Sequence, residues 1–296
     1  MKKFLLFVFV LVLFIIPAFS QLHNDSTLRS QLVQIARPLN GILGVSVRNI
    51  ETGDTISYNG KARLVMQSVM KFPIALTVLH WVDTGKLSLT QIVHVTKHDL
   101  RKDTYSPLRD KYPKGTEITL GELLGYMISQ SDNNACDILL GLISGPKTVQ
   151  SYMLQLGIRG VAIRASEADM DMAPELQFAN WCKPVEMTAL LNLFYQDKIL
   201  TKAATDTLYT MMVNTTTDPQ RLKGLLPQGT VVAHKTGSSA TTAGVTPGTN
   251  DVGIITLPNG NHVIVSAFVC NSASDDATRD GVIAKVAKAV YDFYNH

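Results

Sequence analysis

The stretch Ser68-Val69-Met70-Lys71-Phe72-Pro73-Ile74-Ala75 marks where the chain passes from strand-like to helix-like patterning, and it carries a hydroxyl and an amine three residues apart. Positions three apart share one face of a helix, so the Lys71 amine can reach the Ser68 hydroxyl. Pro73 forfeits a backbone bond to Val69, which the first turns of a helix tolerate, and Ala75 to Trp81 continues the apolar run. A serine at a helix start also sits where backbone N–H groups and the helix dipole favour negative charge, the charge that develops on a carbonyl oxygen under attack. Taken alone, the pattern more often means an N-cap serine followed by an ordinary surface lysine.

Upstream, Leu28, Leu32, Ile35 and Leu39 fall at helical spacing within Thr27 to Leu39. Ile42 to Ile50 then alternates like a strand, and Glu51-Thr52-Gly53-Asp54 turns it toward a second strand at Thr55 to Tyr58. Downstream, Ser68 to Trp81, Thr119 to Ile128, Asn133 to Leu142, Val185 to Tyr195 and Lys202 to Met212 read as helices. Strand patterns return at Val231 to His234, Val252 to Leu257 and Val263 to Val269, before a last helix from Ala277 to Phe293. The expected fold is α/β in the α+β sense. A five-stranded, mostly antiparallel sheet assembled from both ends of the chain is flanked by terminal helices and carries an inserted all-helical subdomain. The expected division is a sheet subdomain at about 21–62 and 214–296 and a helical subdomain at about 63–213, forming one catalytic unit over 21–296.

Two further motifs follow in order. Ser131-Asp132-Asn133 opens a helix and reads equally well as a capping sequence. Lys235-Thr236-Gly237-Ser238 closes a strand, whose alternation puts Lys235 and Gly237 on one face: an ammonium beside a position with no side chain, leaving room for a substrate. Together the three segments supply a nucleophile, a proton shuttle and a cationic anchor for a carboxylate. Lys71 can serve as base if burial and the Lys235 charge lower its proton affinity.

In this order the motifs resemble those of the class A serine beta-lactamases, which share them with penicillin-binding proteins, and the resemblance spans nearly all of the chain after the leader. It implies a beta-lactamase/transpeptidase-like fold and hydrolysis of penicillins and cephalosporins through an acyl-enzyme on Ser68, a reaction that confers antibiotic resistance. It further implies that Lys71 lies beneath Ser68, that Ser131 relays a proton to the leaving nitrogen, and that Asn133 contacts the acylamino side chain. Lys235, Thr236 and Ser131 would hold the substrate carboxylate, with Gly237 lining the strand edge. The backbone N–H groups of Ser68 and Ser238 would form the oxyanion hole, and Tyr105 would stand as an aromatic gate. Glu167 is the expected base for the hydrolytic water, with Glu175 its competitor. Which base serves acylation stays open.

The loop departs from the commonest family pattern. Ala168, Asp171 and Ala165 stand where proline, asparagine and arginine are usual, so the customary arginine-to-aspartate clasp is in doubt. The longer loop through Asn180-Trp181, with the continuation Asn134-Ala135-Cys136-Asp137, resembles the extended-spectrum subgroup of PER, VEB and CfxA type, which implies activity on oxyimino cephalosporins. Asp137 and Asn180 are expected to support the loop, with Met172, Phe178 and Trp181 packed under it. Asp137 should approach Glu167, raising the pKa of one of the two carboxyls unless water separates them.

Met1-Lys2-Lys3, thirteen apolar residues from Phe4 to Ile16, and Pro17-Ala18-Phe19-Ser20 read as a secretory signal peptide over residues 1–20, which implies a periplasmic enzyme. The full-length charge of +3 falls to +1 without Lys2 and Lys3, a balance that argues against a nucleic-acid or anionic-membrane partner. Cys136, Cys182 and Cys270 form no CxxC pair, and the histidines form no compact ligand cluster. No metal and no cofactor are expected; the partners are small beta-lactam substrates, and the protein is expected to be a monomer.

Overall fold

The computed structural model describes residues 26–295, so the signal-peptide reading lies outside the described residues. A helix at 26–36 (α1) leads into β1 (Ile42–Asn49) and β2 (Thr55–Tyr58). After the middle of the chain come β8 (Val232–Ser238), β9 (Thr246–Thr256), β10 (His262–Ser272) and α10 (Asp276–Tyr294). The main sheet has the order β2-β1-β10-β9-β8 and is antiparallel at every pairing, with Ile42 opposite Cys270 and Lys235 opposite Val252.

Strand period explains the two cores. Along β10, Val263, Val265, Ala267 and Val269 face outward into a cluster with Leu28 and Leu32 of α1 and Ile283, Val286 and Val290 of α10. The alternate residues Ile264 and Phe268 face the middle block, joining Val252, Ile254, Phe72, Leu76 and Phe194. Both faces of the sheet are covered, which is why β10 reads as a nearly continuous apolar run.

The middle block contains β3 (Leu64–Val65), α2 (Lys71–Asp83), β4 (Ile92–Thr96), α3 (Pro107–Lys111), β5 (Gly115–Thr119), α4 (Leu120–Ser129), α5 (Asn133–Leu142), α6 (Pro146–Gln155), β6 (Val161–Ala162), α7 (Glu167–Met172), β7 (Trp181–Cys182), α8 (Pro184–Tyr195) and α9 (Lys202–Val213). At its centre, α2 buries every side chain from Lys71 to Leu79, and Phe72 meets Phe194 edge-on with ring centroids 5.4 Å apart. A helix apolar all round has no solvent face and belongs inside. Burying each large apolar side chain contributes roughly 1.5–3 kcal/mol.

The block is not purely helical, which corrects the expected all-helical insertion. β4 and β5 form a hairpin, and β3, β7 and β6 form a small sheet at the neck of the 166–181 loop. Val93, Val95 and Ile118 alternate with exposed residues over only five positions per strand, too short a pattern to stand out beside long helices. Strand β8 carries Lys235-Thr236-Gly237-Ser238 at its end, as expected, and sits at the edge of the sheet beside the start of α2.

Candidate active site

Ser68 lies in a 3₁₀ turn, Gln67–Met70, that leads directly into α2, and Lys71 is the first residue of that helix. The Lys71 ammonium is fully buried. It donates to Ser68 Oγ at 3.0 Å, to the carbonyl of Ser131 at 2.7 Å and to Asn133 Oδ1 at 2.5 Å. An ammonium has three protons, and these three acceptors use them. Glu167 Oε1 lies 3.0 Å from the same nitrogen as an ion pair, yet accepts no hydrogen bond from a described residue. Glu167 is thus ion-paired while that oxygen stays open to a further hydrogen-bond donor.

Ser131 adopts φ +58, a left-handed conformation rare for a side-chain-bearing residue, and this turn sends its carbonyl to Lys71 and its hydroxyl to Lys235. Asp132 holds the turn rather than facing the cleft. Its carboxylate caps α5 through the amide of Ala135 at 2.8 Å, accepts the amide of Leu108 at 2.7 Å and takes the hydroxyl of Ser106. Burial pushes the Asp132 carboxyl above its ordinary value despite these bonds. The capping reading of this motif is realised, and Ser131 and Asn133 line the cleft. Asn133 gives one amide proton to Thr104 Oγ1 at 2.8 Å and keeps its second.

Lys235, also fully buried, donates to Ser131 Oγ at 2.9 Å and to the carbonyl of Thr236 at 2.8 Å. Burial draws its pKa down to about 7, and the Lys71 charge adds to the fall, against Asp251, Asp218 and Glu167. Gly237 is needed because backbone passes where a side chain would start. A Cβ there would lie 2.7 Å from the carbonyl oxygen of Met66 and 3.1 Å from the amide nitrogen of Ser68. Gly237→Ala is expected to force the strand off the Ser68 turn, costing about 1–3 kcal/mol as in other overpacked sites. A lower melting temperature with a fall in kcat/KM checks this; a variant with unchanged kinetics would show the close approach to be incidental.

Glu167 begins α7 and is buried, whereas its competitor Glu175 is exposed on the 3₁₀ turn Pro174–Ala179. The approach of Asp137 to Glu167 is real: its two carboxylate oxygens accept the backbone amides of Glu167 and Ala168, each at 2.9 Å. Burial raises the Asp137 pKa to about 6, and Glu167 adds to the rise. Asn180, fully buried, takes the amides of Arg164 and Ala165 and returns a bond to the carbonyl of Ala165, closing the neck of the loop. Met172 and Phe178 do not pack beneath the loop as expected; they are 79% and 50% exposed. Trp181 is half-buried against the Arg63 guanidinium, 4.4 Å from its ring centroid.

Ser68, Ser131, Asn133, Thr236, Gly237 and Ser238 line one cleft of about 450 Å³, with Tyr105 exposed at its rim. Lys71, Lys235 and Glu167 reach its floor from below through the contacts above. The beta-lactamase enzyme family profile matches residues 27–294. The chain belongs to that family. It is 39% identical to beta-lactamase VEB-1 of Pseudomonas aeruginosa over 96% of each chain, and 39% identical to the extended-spectrum beta-lactamase PER-1 of the same organism over 93% of this chain and 90% of the relative. Among solved structures, a beta-lactamase from Chitinophaga pinensis superposes with a TM-score of 0.89 at 45% identity, covering 90% of this chain and 98% of that one. A class A beta-lactamase from Bacteroides cellulosilyticus superposes with a TM-score of 0.89 at 36% identity, over 92% and 98%. The protein is a class A serine beta-lactamase, and its reaction is hydrolysis of the beta-lactam ring.

Several parts of this beta-lactamase site escaped the sequence reading. Arg221 donates to Ser238 Oγ at 2.8 Å and to the carbonyl of Asn250 at 3.1 Å while paired with Asp280, bracing the end of β8. Thr217 Oγ1 meets Thr236 Oγ1 at 2.6 Å. Both lie in an irregular segment with no periodicity to flag them. Arg101, which bridges Asp137 and Asp171, supplies from outside the loop the clasp that seemed missing inside it. The three cysteines are buried and unpaired. Among the described residues, no group of three or more metal-ligating side chains occurs and no helix is long and apolar enough to cross a membrane.

Proposed function

We propose that Ser68 is the nucleophile, Lys71 and Glu167 manage protons, Ser131 protonates the leaving nitrogen and Glu167 activates water. The observation that carries this reading is the junction at Lys71, where the nucleophile, both motif residues Ser131 and Asn133, and the base converge on one ammonium. The substrate carboxylate docks at Lys235 with Thr236 and Ser131, the side chain of the drug reaches Asn133 and Tyr105, and the lactam oxygen meets the backbone amides of Ser68 and Ser238. Ser68 gives its hydroxyl proton to the Lys71–Glu167 pair as its Oγ bonds to the lactam carbon, the carbon–nitrogen bond breaks, and the nitrogen takes a proton through Ser131. Water then gives a proton to Glu167 as its oxygen bonds to the acyl carbon; the ester bond breaks and Ser68 Oγ regains a proton.

Oxyimino cephalosporins are proposed substrates, supported by the extended-spectrum name of PER-1 and by the long 166–181 loop beside the cleft. The mature protein is read as a monomeric periplasmic enzyme formed by one catalytic domain over 21–296. Rates for a penicillin, an early cephalosporin and an oxyimino cephalosporin test the assignment; turnover of the first two with none of the third would remove the extended spectrum. Stoichiometric adduct without turnover on any of them would point to a penicillin-binding role instead.

The depressed pKa of Lys235 gives a signed expectation. The ammonium is charged below about 7 and loses its proton above it, so carboxylate affinity is present at low pH and weakens as pH rises. KM for a carboxylated substrate should rise from pH 6 to pH 9 by about tenfold, tempered by the carboxylate itself, which favours the charged form. A substrate ester lacking that charge should show no such rise, and equal pH profiles for acid and ester would count against Lys235 as the anchor.

A further inference from the structure

Arg101 grips the loop from outside it. Its own backbone is pinned by the buried Asn134 of α5, which accepts the Arg101 amide and donates to the Arg101 carbonyl, both at 3.2 Å. Arg109 donates to the same carbonyl at 2.9 Å. From this fixed base the guanidinium spans Asp137 Oδ2 at 2.8 Å and Asp171 Oδ2 at 2.5 Å, tying α5 to the far end of α7. Asp137 in turn holds the amides of Glu167 and Ala168. A continuous line of contacts therefore runs from Arg101 through one carboxylate to the backbone of the residue read as the hydrolytic base.

That line works only with an ionised Asp137. A carboxylate offers two acceptor oxygens for two amides and a guanidinium; a protonated carboxyl turns one of them into a donor. The groups acting on Asp137 are Arg101, which also holds Asp171 of α7, Glu167 of α7, and the Cys136 thiol of its own helix; Lys71 of α2 lies beyond, ion-paired with Glu167. Arg101 is the cation in direct contact. Burial and Glu167 push the Asp137 pKa up, while Arg101 and the two amides pull it down.

We propose that Arg101 is a positioning residue for deacylation: it holds the Asp137 carboxylate against the two loop amides and so sets where Glu167 meets the attacking water. This rests on the reading of Glu167 as the hydrolytic base. Arg101 is not among the residues lining the cleft, and for acylation Lys71, bonded to Ser68 directly, can take the proton whatever the placement of Glu167. Its loss should therefore slow the second half of the reaction and leave the first half nearly intact, a division that a general weakening of the fold would not produce.

The test compares wild type, Arg101→Gln, Arg101→Lys and Glu167→Gln by the rate of loss of acyl-enzyme in single turnovers of a chromogenic cephalosporin, by steady-state kcat and KM, and by melting temperature. An opposite charge in contact moves a carboxyl by about one unit or more, so the acid limb of the deacylation rate in Arg101→Gln should move up by about one unit, a roughly tenfold loss below the limb. There kcat and KM should fall together, with kcat/KM kept within about twofold. Arg101→Lys restores the charge but cannot fork onto both carboxylates, so its limb should return toward wild type while its rate stays lowered about threefold. A folded Arg101→Gln with the wild-type limb, or one losing kcat/KM in step with kcat, overturns the inference. Should that variant not fold, Arg101→Lys decides, and wild-type deacylation in it overturns the inference too. If Glu167→Gln accumulates acyl-enzyme while the Arg101 variants behave as wild type, only this inference fails. If Glu167→Gln turns over without accumulation, the reading of Glu167 fails and takes this inference with it.

Discussion

Glu167→Gln stops the enzyme half-way: Ser68 is acylated, a stoichiometric adduct appears by mass spectrometry, and steady-state kcat falls by about 10²–10⁴-fold, the usual worth of a positioned general base. The substitution keeps side-chain size and the backbone bonds to Asp137 but removes the carboxylate that lies 3.0 Å from Lys71 and can take a water proton. The expected split is informative because the rival penicillin-binding reading gives Glu167 no comparable part. In such a protein the wild type itself would hold its adduct, and the glutamine variant would change nothing. A variant that loses activity without trapping any adduct would move the base elsewhere.

Ser68→Ala removes the nucleophile and with it the covalent route, so kcat/KM should fall by at least about 10⁴-fold. The fold should survive. Among the contacts of the Ser68 side chain is one hydrogen bond accepted from Lys71, worth about 1 kcal/mol, and the remaining acceptors of that ammonium stay in place. Lys235, Ser131 and Thr236 are untouched, so a beta-lactam should still bind and could be seen by displacement or by a raised melting temperature. Residual turnover above about one per cent of wild type would mean that another group can attack the ring.

The architecture was legible because its main elements have clean periods. The helices of 120–142 and the strand of 263–269 announce themselves by spacing, and the five strands were paired correctly in class because their patterns fall at the two ends of the chain. The β4–β5 hairpin, α3 and α6 were missed, being short or beginning on turn residues such as Gly145-Pro146. In the site, residues carrying recognisable spacing were visible, whereas those that orient them were not. Arg101, Arg221 and Thr217 act across 36, 17 and 19 residues of chain separation, and a lone arginine in a coil has no local signature of its distant carboxylate. Exposure was the other blind spot: the hydrophobic character of Met172 and Phe178 suggested burial, but a loop outside both cores has nothing to cover them.

The pairing of β1 with β10 sets a timetable for the nascent chain. Ile42 waits for Cys270, and Asn49 for Val263, so the central seam of the sheet cannot close until more than two hundred further residues have been made. At about 5–20 residues per second that delay is roughly 10–40 s. Through it the apolar strand lies open to holdases and proteases, and the edge that presses Gly237 against the Ser68 turn gains its neighbour only at the end. Ser68, the proposed nucleophile, is synthesised early but gains its setting last, so an interrupted chain is expected to lack hydrolytic power.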